Sequence, residues 1–179
     1  MAVAFVFPGQ GSQTVGMGKA LADNFTAAAE VFAEVDEALG AKLSSIIFQG
    51  PGDTLTLTEN AQPALMAVSL ACVRVLEAEA GLDLKRDAQF VAGHSLGEYS
   101  ALAASGAFTI ADTARLLRTR GQAMQKAVPV GVGAMAALIG LEFDAATAIA
   151  AEAADGQVCQ AANDNGQCTA RGQRGIFTE

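Results

Sequence analysis

Phe90-Val91-Ala92-Gly93-His94-Ser95-Leu96-Gly97-Glu98 is the stretch that decides the reading of this chain. Phe90-Val91-Ala92 is a short apolar run that reads as a buried strand, and Glu98 to Ser105 have helix-compatible composition. Between them stands Gly93-x-Ser95-x-Gly97. A serine at a strand-to-helix junction of this kind sits on a tight turn with its hydroxyl pushed into a cleft. The flanking glycines keep Cβ atoms away from the places where strand and helix crowd each other. The helix behind the serine offers unpaired backbone N–H groups and the positive end of its dipole. An oxyanion formed by attack of Ser95 needs that environment, so Ser95 is the candidate nucleophile. His94 is adjacent to it, and neighbours on a sharp elbow point their side chains apart. His94 is therefore expected to pack and hydrogen-bond beneath the turn rather than to act as base. Glu98, in the first helical turn, suits a helix-terminus role.

Working outward, Ala2 to Phe7 is apolar and ends at Pro8-Gly9, which predicts a central strand. It carries no basic leader and reads as a first strand rather than a signal peptide. Gly9-Gln10-Gly11-Ser12-Gln13 is a glycine-punctuated loop. Helix is predicted from Met17 to Leu39, broken near Asn24-Phe25-Thr26 and stopped by Gly40. Leu43 to Phe48 is a short helix, and Gln49 to Asp53 a turn-rich connector. Asn60 to Ala80 is a long amphipathic helix capped by Asn60, with Pro63 in its first turn and Gly81 at its end. Thr109-Ile110-Ala111-Asp112 resembles a capping box with Asp in place of Glu, opening a helix that stops at Pro129. After the connector Val130 to Gly133 the pattern changes to smaller elements. Ala134–Ile139 reads as a strand, residues 144–154 as a helix and 157–162 as a strand. The division predicted is 1–129, a main α/β part; 130–166, the start of a small α+β subdomain; and 167–179, a tail without periodicity.

Composition narrows the function. With 179 residues and 51 % hydrophobic content, the chain can bury a sizeable core. No apolar run reaches the length of a membrane span. Three cysteines, Cys72, Cys159 and Cys168, form no C-x-x-C pair, which suits a reducing cytosol and argues against a zinc site. His94 is the only histidine, so a His-based metal site has nothing to build on. A net charge of −8 speaks against nonspecific nucleic-acid binding. The densest basic cluster is Arg115, Arg118, Arg120 and Lys126, which reads mostly as the solvated face of a helix.

The residues resemble the malonyl-CoA:acyl-carrier-protein transacylases. Phe7-Pro8-Gly9-Gln10-Gly11-Ser12-Gln13 is similar to that family's opening, and Gly93 to Leu102 to its nucleophile segment. Gln62-Pro63-Ala64-Leu65, Arg120-Gly121-Gln122-Ala123-Met124-Gln125 and Gly133-Ala134-Met135-Ala136-Ala137 match it in order and spacing. The resemblance implies an α/β fold, a parallel sheet flanked by helices, with a small ferredoxin-like subdomain inserted. It implies transfer of malonyl from malonyl-CoA to acyl carrier protein through a serine ester, in cytoplasmic fatty-acid synthesis. No metal or other cofactor, no nucleic acid and no membrane is implied. Ser95 would carry the malonyl group. The backbone N–H groups of Gln10 and Leu96 would form the oxyanion hole, and Arg120 would pair with the malonyl carboxylate. That pairing makes sense because a planar, two-pronged cation matches a carboxylate better than Lys does. Asn163 and Asn165 fall in an Asn-rich rim segment and take a weak supporting role.

The resemblance runs to about Gly166, and the family's chains are longer. Its catalytic histidine and the glutamine that orients it belong to a segment beyond the inserted subdomain. Gly166-Gln167 is followed here by Cys168-Thr169-Ala170-Arg171-Gly172 instead of an apolar strand. The abrupt change reads as a truncation or a lost reading frame, with residues 167–179 outside the family. Two other readings follow: an inactive fragment of that enzyme, or a serine thioesterase or hydrolase built on the same elbow. A neutral-acyl enzyme has no use for Arg120 in its site, which argues against the second.

Overall fold

The computed structural model describes residues 2–128, 131–164 and 173–178, the last as backbone only. β1 (Ala4–Phe7) leads through a loop to α1 (Lys19–Asn24), α2 (Thr26–Leu39), α3 (Leu43–Gln49), α4 (Gly52–Thr56) and α5 (Thr58–Ala80). α6 (Leu84–Asp87), β2 (Phe90–Gly93), α7 (Leu96–Ala104) and α8 (Ile110–Ala127) follow. Then come β3 (Ala134–Ile139), α9 (Phe143–Ala153), β4 (Cys159–Asn163) and β5 (Gln173–Thr178). The chain divides into two compact units, Met1–Gln125 and Lys126–Glu179. The sequence places that division at 129/130.

The first unit is built on α5. Its small residues Ala64, Ala67 and Ala71 are fully buried, which lets α2 approach with Ala28, Val31, Phe32 and Val35 at three- and four-residue spacing. Leu43 and Ile47 of α3 and Leu55 of α4 close the same cluster, and Phe32 meets Phe48 edge-on at 4.9 Å. Each fully buried Leu or Ile here is worth about 1.5–3 kcal/mol. α5 is long and apolar enough to cross a membrane by length and composition, against the expectation that no such run exists. The majority of its most apolar stretch is buried inside the protein, and it carries the buried amides of Asn60 and Gln62, so it is the core helix.

β1 and β2 pair in parallel, Ala4 opposite Phe90 and Phe7 opposite Gly93. The register puts Phe5, Phe7 and Val91 on one face, packed under Val73, Leu84 and Ala101. The other face is open among the described residues: Val6 is 74 % and Phe90 66 % exposed. Both strands are expected to be buried, and their apolar runs do suit a sheet covered on both sides. α5, α6 and α7 cover only one side.

Local signals set most helix ends. Gly40 and Gly81 close α2 and α5 with positive φ. Phe25, extended at φ −131°, makes the predicted break between α1 and α2. The Asp112 N–H donates to Thr109 Oγ1 at 3.0 Å, and the Thr109 hydroxyl donates back to the Asp112 carboxylate. The shorter Asp thus answers the hydroxyl, where a Glu would reach the backbone. α4 stands where a connector is expected. α6, unpredicted, is capped by Asp83, which accepts from the Lys85 and Arg86 N–H groups. α7 begins at Leu96 rather than Glu98, and α5 at Thr58 rather than after an Asn60 cap. Asn60 lies inside α5, buried, donating its amide to the Thr54 carbonyl at 2.8 Å.

In the second unit β5 lies between β3 and β4, antiparallel to both, and α9 buries Ala146 and Ala150. β3 and β4 therefore run parallel with a strand between them, a split β-α-β arrangement. β5 falls within 167–179, the stretch without sequence periodicity; residues 165–172 and 179, including Asn165, lie outside the described residues.

Candidate active site

The elbow is made by backbone crowding. A Cβ on Gly93 would stand 1.9 Å from the Gly97 carbonyl carbon, and one on Gly97 would stand 2.3 Å from the Phe7 carbonyl oxygen. Strand, turn and helix thus touch backbone to backbone, and only glycine fits at either position. Ser95 between them has φ 56° and ψ −114°, a conformation that non-glycine residues hold only when their surroundings enforce it. The Gly97 N–H closes the turn on the His94 carbonyl at 2.9 Å, and the Glu98 N–H reaches the Ser95 carbonyl at 3.2 Å. Leu96, 1 % exposed, anchors the first helical residue in the core, and its N–H finds no acceptor among the described residues. Ser95 itself is exposed at the N-terminus of α7.

Arg120 arrives from α8. Its Nη2 donates to Ser95 Oγ at 3.0 Å and its Nη1 to Gln62 Oε1 at 2.6 Å. Gln62 is fully buried, and its amide nitrogen donates to Met124 Sδ at 3.3 Å. The Tyr99 ring lies 5.8 Å from the guanidinium carbon, within cation–π range. Arg120 is therefore held by a neutral acceptor and an aromatic face, with no acidic partner among the described residues. Its charge is left uncompensated beside the serine hydroxyl. A carboxylate entering here would meet a planar fork of donors already oriented.

Gln10 is exposed on the loop after β1, with its side chain donating to Thr58 Oγ1 at 3.2 Å at the start of α5. That loop abuts the elbow, because a Cβ on Gly9 would lie 2.8 Å from His94 Nδ1. The Gln10 N–H has no acceptor among the described residues. The structure thus joins Ser95 and Arg120 by a direct hydrogen bond and brings Leu96 and the Gln10 loop to the same turn.

Other expectations meet differences. His94 packs against Gly9 but stays exposed, and its imidazole makes no hydrogen bond among the described residues, so it does not bond beneath the turn. The turn is closed by its backbone carbonyl instead. Arg115 is solvated beside Asp112 as expected, at 3.1 Å. Arg118 is not: it is half-buried and donates to Asn60 Oδ1. Burial of the guanidinium pushes its pKa down from the ordinary arginine value, partly opposed by the nearby Glu59. Glu98 is exposed in the first turn of α7, and Asn163 is exposed on β4. The sequence pointed to Gln62 and Tyr99 only as motif residues, and gave no sign of Thr58. No group of three or more His, Cys, Asp or Glu able to hold a metal occurs among the described residues.

Residues 4–179 match the acyl transferase domain family. The match runs through the 167–179 stretch that the sequence pattern set apart. The chain is 48 % identical to the malonyl CoA-acyl carrier protein transacylase of Bacillus subtilis (strain 168) over 164 residues, 91 % of this chain and 50 % of that protein. It is likewise 48 % identical to the enzyme of that name from Escherichia coli (strain K12), over 90 % of this chain and 51 % of the relative. The chain therefore spans about half the length of the curated relatives it matches. Among solved structures it is similar to the acyl-carrier-protein S-malonyltransferase of Bartonella henselae, with TM-score 0.91 and 60 % identity over all of this chain and 55 % of that one. It is also similar to a malonyl-transacylase solved in complex with a type II PKS acyl-carrier protein, with TM-score 0.87 and 41 % identity over all of this chain and 55 % of that one. A family match over nearly the whole chain, joined to identities near one half, places this chain in the acyl transferase domain family.

Proposed function

We propose that the chain carries the nucleophile half of a malonyl transfer site. In this reading a malonyl group passes from malonyl-CoA to the Ser95 hydroxyl, and then to the phosphopantetheine thiol of acyl carrier protein, in cytoplasmic fatty-acid synthesis without a metal or redox cofactor. Ser95 Oγ attacks the thioester carbonyl, forming the ester C–O bond as the C–S bond breaks and coenzyme A leaves as its thiol. The N–H groups of Leu96 and Gln10 face the developing oxyanion, which suits them because neither has an acceptor among the described residues. Arg120 binds the distal carboxylate. The observation that carries the reading is the Arg120 fork, with one prong on Ser95 Oγ and the other on the buried Gln62 carbonyl oxygen. A thioesterase for neutral acyl groups would gain nothing from an unpaired guanidinium at its nucleophile.

The test is intact-protein mass after incubation with malonyl-CoA, beside Ser95→Ala. One malonyl adduct per chain, absent from Ser95→Ala, is expected. An adduct that survives Ser95→Ala overturns the assignment, and a folded chain that takes none favours the inactive-fragment reading.

A further inference from the structure

Arg118 and Arg120 leave α8 two residues apart, about 200° around the helix. Both nonetheless end on amide oxygens of α5, Arg118 on Asn60 and Arg120 on Gln62. Between these two directions, about 100° from Arg120 on the side toward Arg118, lies Gly121, on the same face as the buried Ala114 and Leu117. Gly121 is buried, and a Cβ there would lie 2.6 Å from Glu59 Cα and 2.7 Å from the Thr58 carbonyl oxygen. The two helices therefore touch backbone to backbone at Gly121, and the arginines straddle the contact like the two arms of a clasp. One arm reaches the site. The other does not touch Ser95: it ends on Asn60, which is 6 % exposed and tied in turn to the Thr54 carbonyl.

A contact through a glycine has no side chain to stop one helix from rolling on the other. Ala114 and Leu117 pack this face of α8 into the core, and the two flanking hydrogen bonds set its rotation at Gly121. Without the outer arm, α8 is freer to turn about Gly121, and a turn there swings Arg120 away from Ser95. The Asn60 oxygen, buried and stripped of its donor, adds a further cost that favours the rolled arrangement. We propose that Arg118 is a positioning residue, whose hydrogen bond to Asn60 fixes the rotation of α8 and so aims Arg120 at a carboxylate held beside Ser95. The consequence for substrate choice rests on the malonyl reading above; the aim of Arg120 does not.

Two readouts on the full chain separate these. The first is the side-chain Nε–H signal of Arg120 in a nitrogen–proton NMR spectrum, compared for wild type, Arg118→Met, Asn60→Leu and the exposed control Arg115→Met. A single shifted Arg120 signal in wild type and Arg115→Met, moved toward the free-arginine position in Arg118→Met and Asn60→Leu, is expected. The second is binding of malonyl-CoA and acetyl-CoA. Arg118→Met should weaken malonyl-CoA about tenfold and leave acetyl-CoA within about twofold, and adding Asn60→Leu should cost little more. An Arg120 signal unchanged in a folded Arg118→Met, or equal losses for both thioesters from a wild type that prefers malonyl-CoA, overturns the proposal and leaves Arg118 as packing alone. If wild type itself does not prefer malonyl-CoA while the Arg120 signal still moves, the malonyl reading fails and the positioning role stands.

Discussion

The elbow at β2–α7 and the clasp at α5–α8 both end at Ser95, yet they hold it by different physics. At the elbow the constraint is steric. Backbone meets backbone at Gly93 and Gly97, and the serine is left with a φ of 56° that nothing but close packing enforces. At the clasp the constraint is polar and longer in reach, with Arg120 fixed by a buried Gln62 and a ring face. The elbow places the oxygen, and in the proposed reading the clasp decides which acyl group is accepted beside it. Steric constraints of the first kind are all-or-none, because a Cβ at 2.3 Å has nowhere to go. Polar constraints of the second kind are graded, because a guanidinium that loses one acceptor still has others.

That difference can be broken from either side. Gly97→Ala attacks the elbow and is expected to have the largest effect, with strand and helix forced apart at a cost of about 3 kcal/mol or more. Thermal unfolding should show a large drop, and ester formation on Ser95 should vanish with it. Gly121→Ala attacks the backbone contact of the clasp. It should cost about 1–3 kcal/mol while leaving the elbow intact, so hydroxyl-directed reagents should still label Ser95. Gln62→Leu is subtler still. It keeps the volume and removes the acceptor from Arg120, and is expected to slow malonyl transfer about tenfold with acetyl transfer little changed. The smallest effect lies outside both regions. The Asp87 carboxyl is held at about 2, below its usual 3.8, first by the Arg86 guanidinium and then by the Asp83 N–H. A lowered folded-state value contributes stability above the usual value that is lost as pH falls through the folded one. Asp87→Asn should therefore show a slight deficit at neutral pH that disappears by about pH 2, read from unfolding midpoints across that window. A substantial loss of ester formation in Asp87→Asn would mean that the two regions are not the whole of the site.

How much of this could be read from residues alone follows the same division. The elbow was legible because sterics act between neighbours in the chain: Gly93 and Gly97 stand within two residues of Ser95. The break at Phe25, the glycine stops at Gly40 and Gly81 and the Thr109 cap were legible for the same reason. The contacts of Gln62, Tyr99 and Arg118 were not. Their partners lie far along the chain, 58 residues away for both arginines, and only packing of α8 on α5 brings them together. Arg118 looked no different from Arg115, and only the buried Asn60 distinguishes them. Asn60 in turn looked like a helix cap because capping residues and buried amides share a residue type. The apolar runs at β1 and β2 suggest burial on both faces, and the described residues cover one.

The most direct test of the account is the rate of ester formation on Ser95 with malonyl-CoA and with acetyl-CoA, in wild type and in Arg120→Ala, followed by intact mass. Malonyl transfer should fall about a hundredfold in Arg120→Ala, with acetyl transfer within a few-fold of wild type. Equal losses for the two thioesters would contradict the claim that this arginine reads a carboxylate.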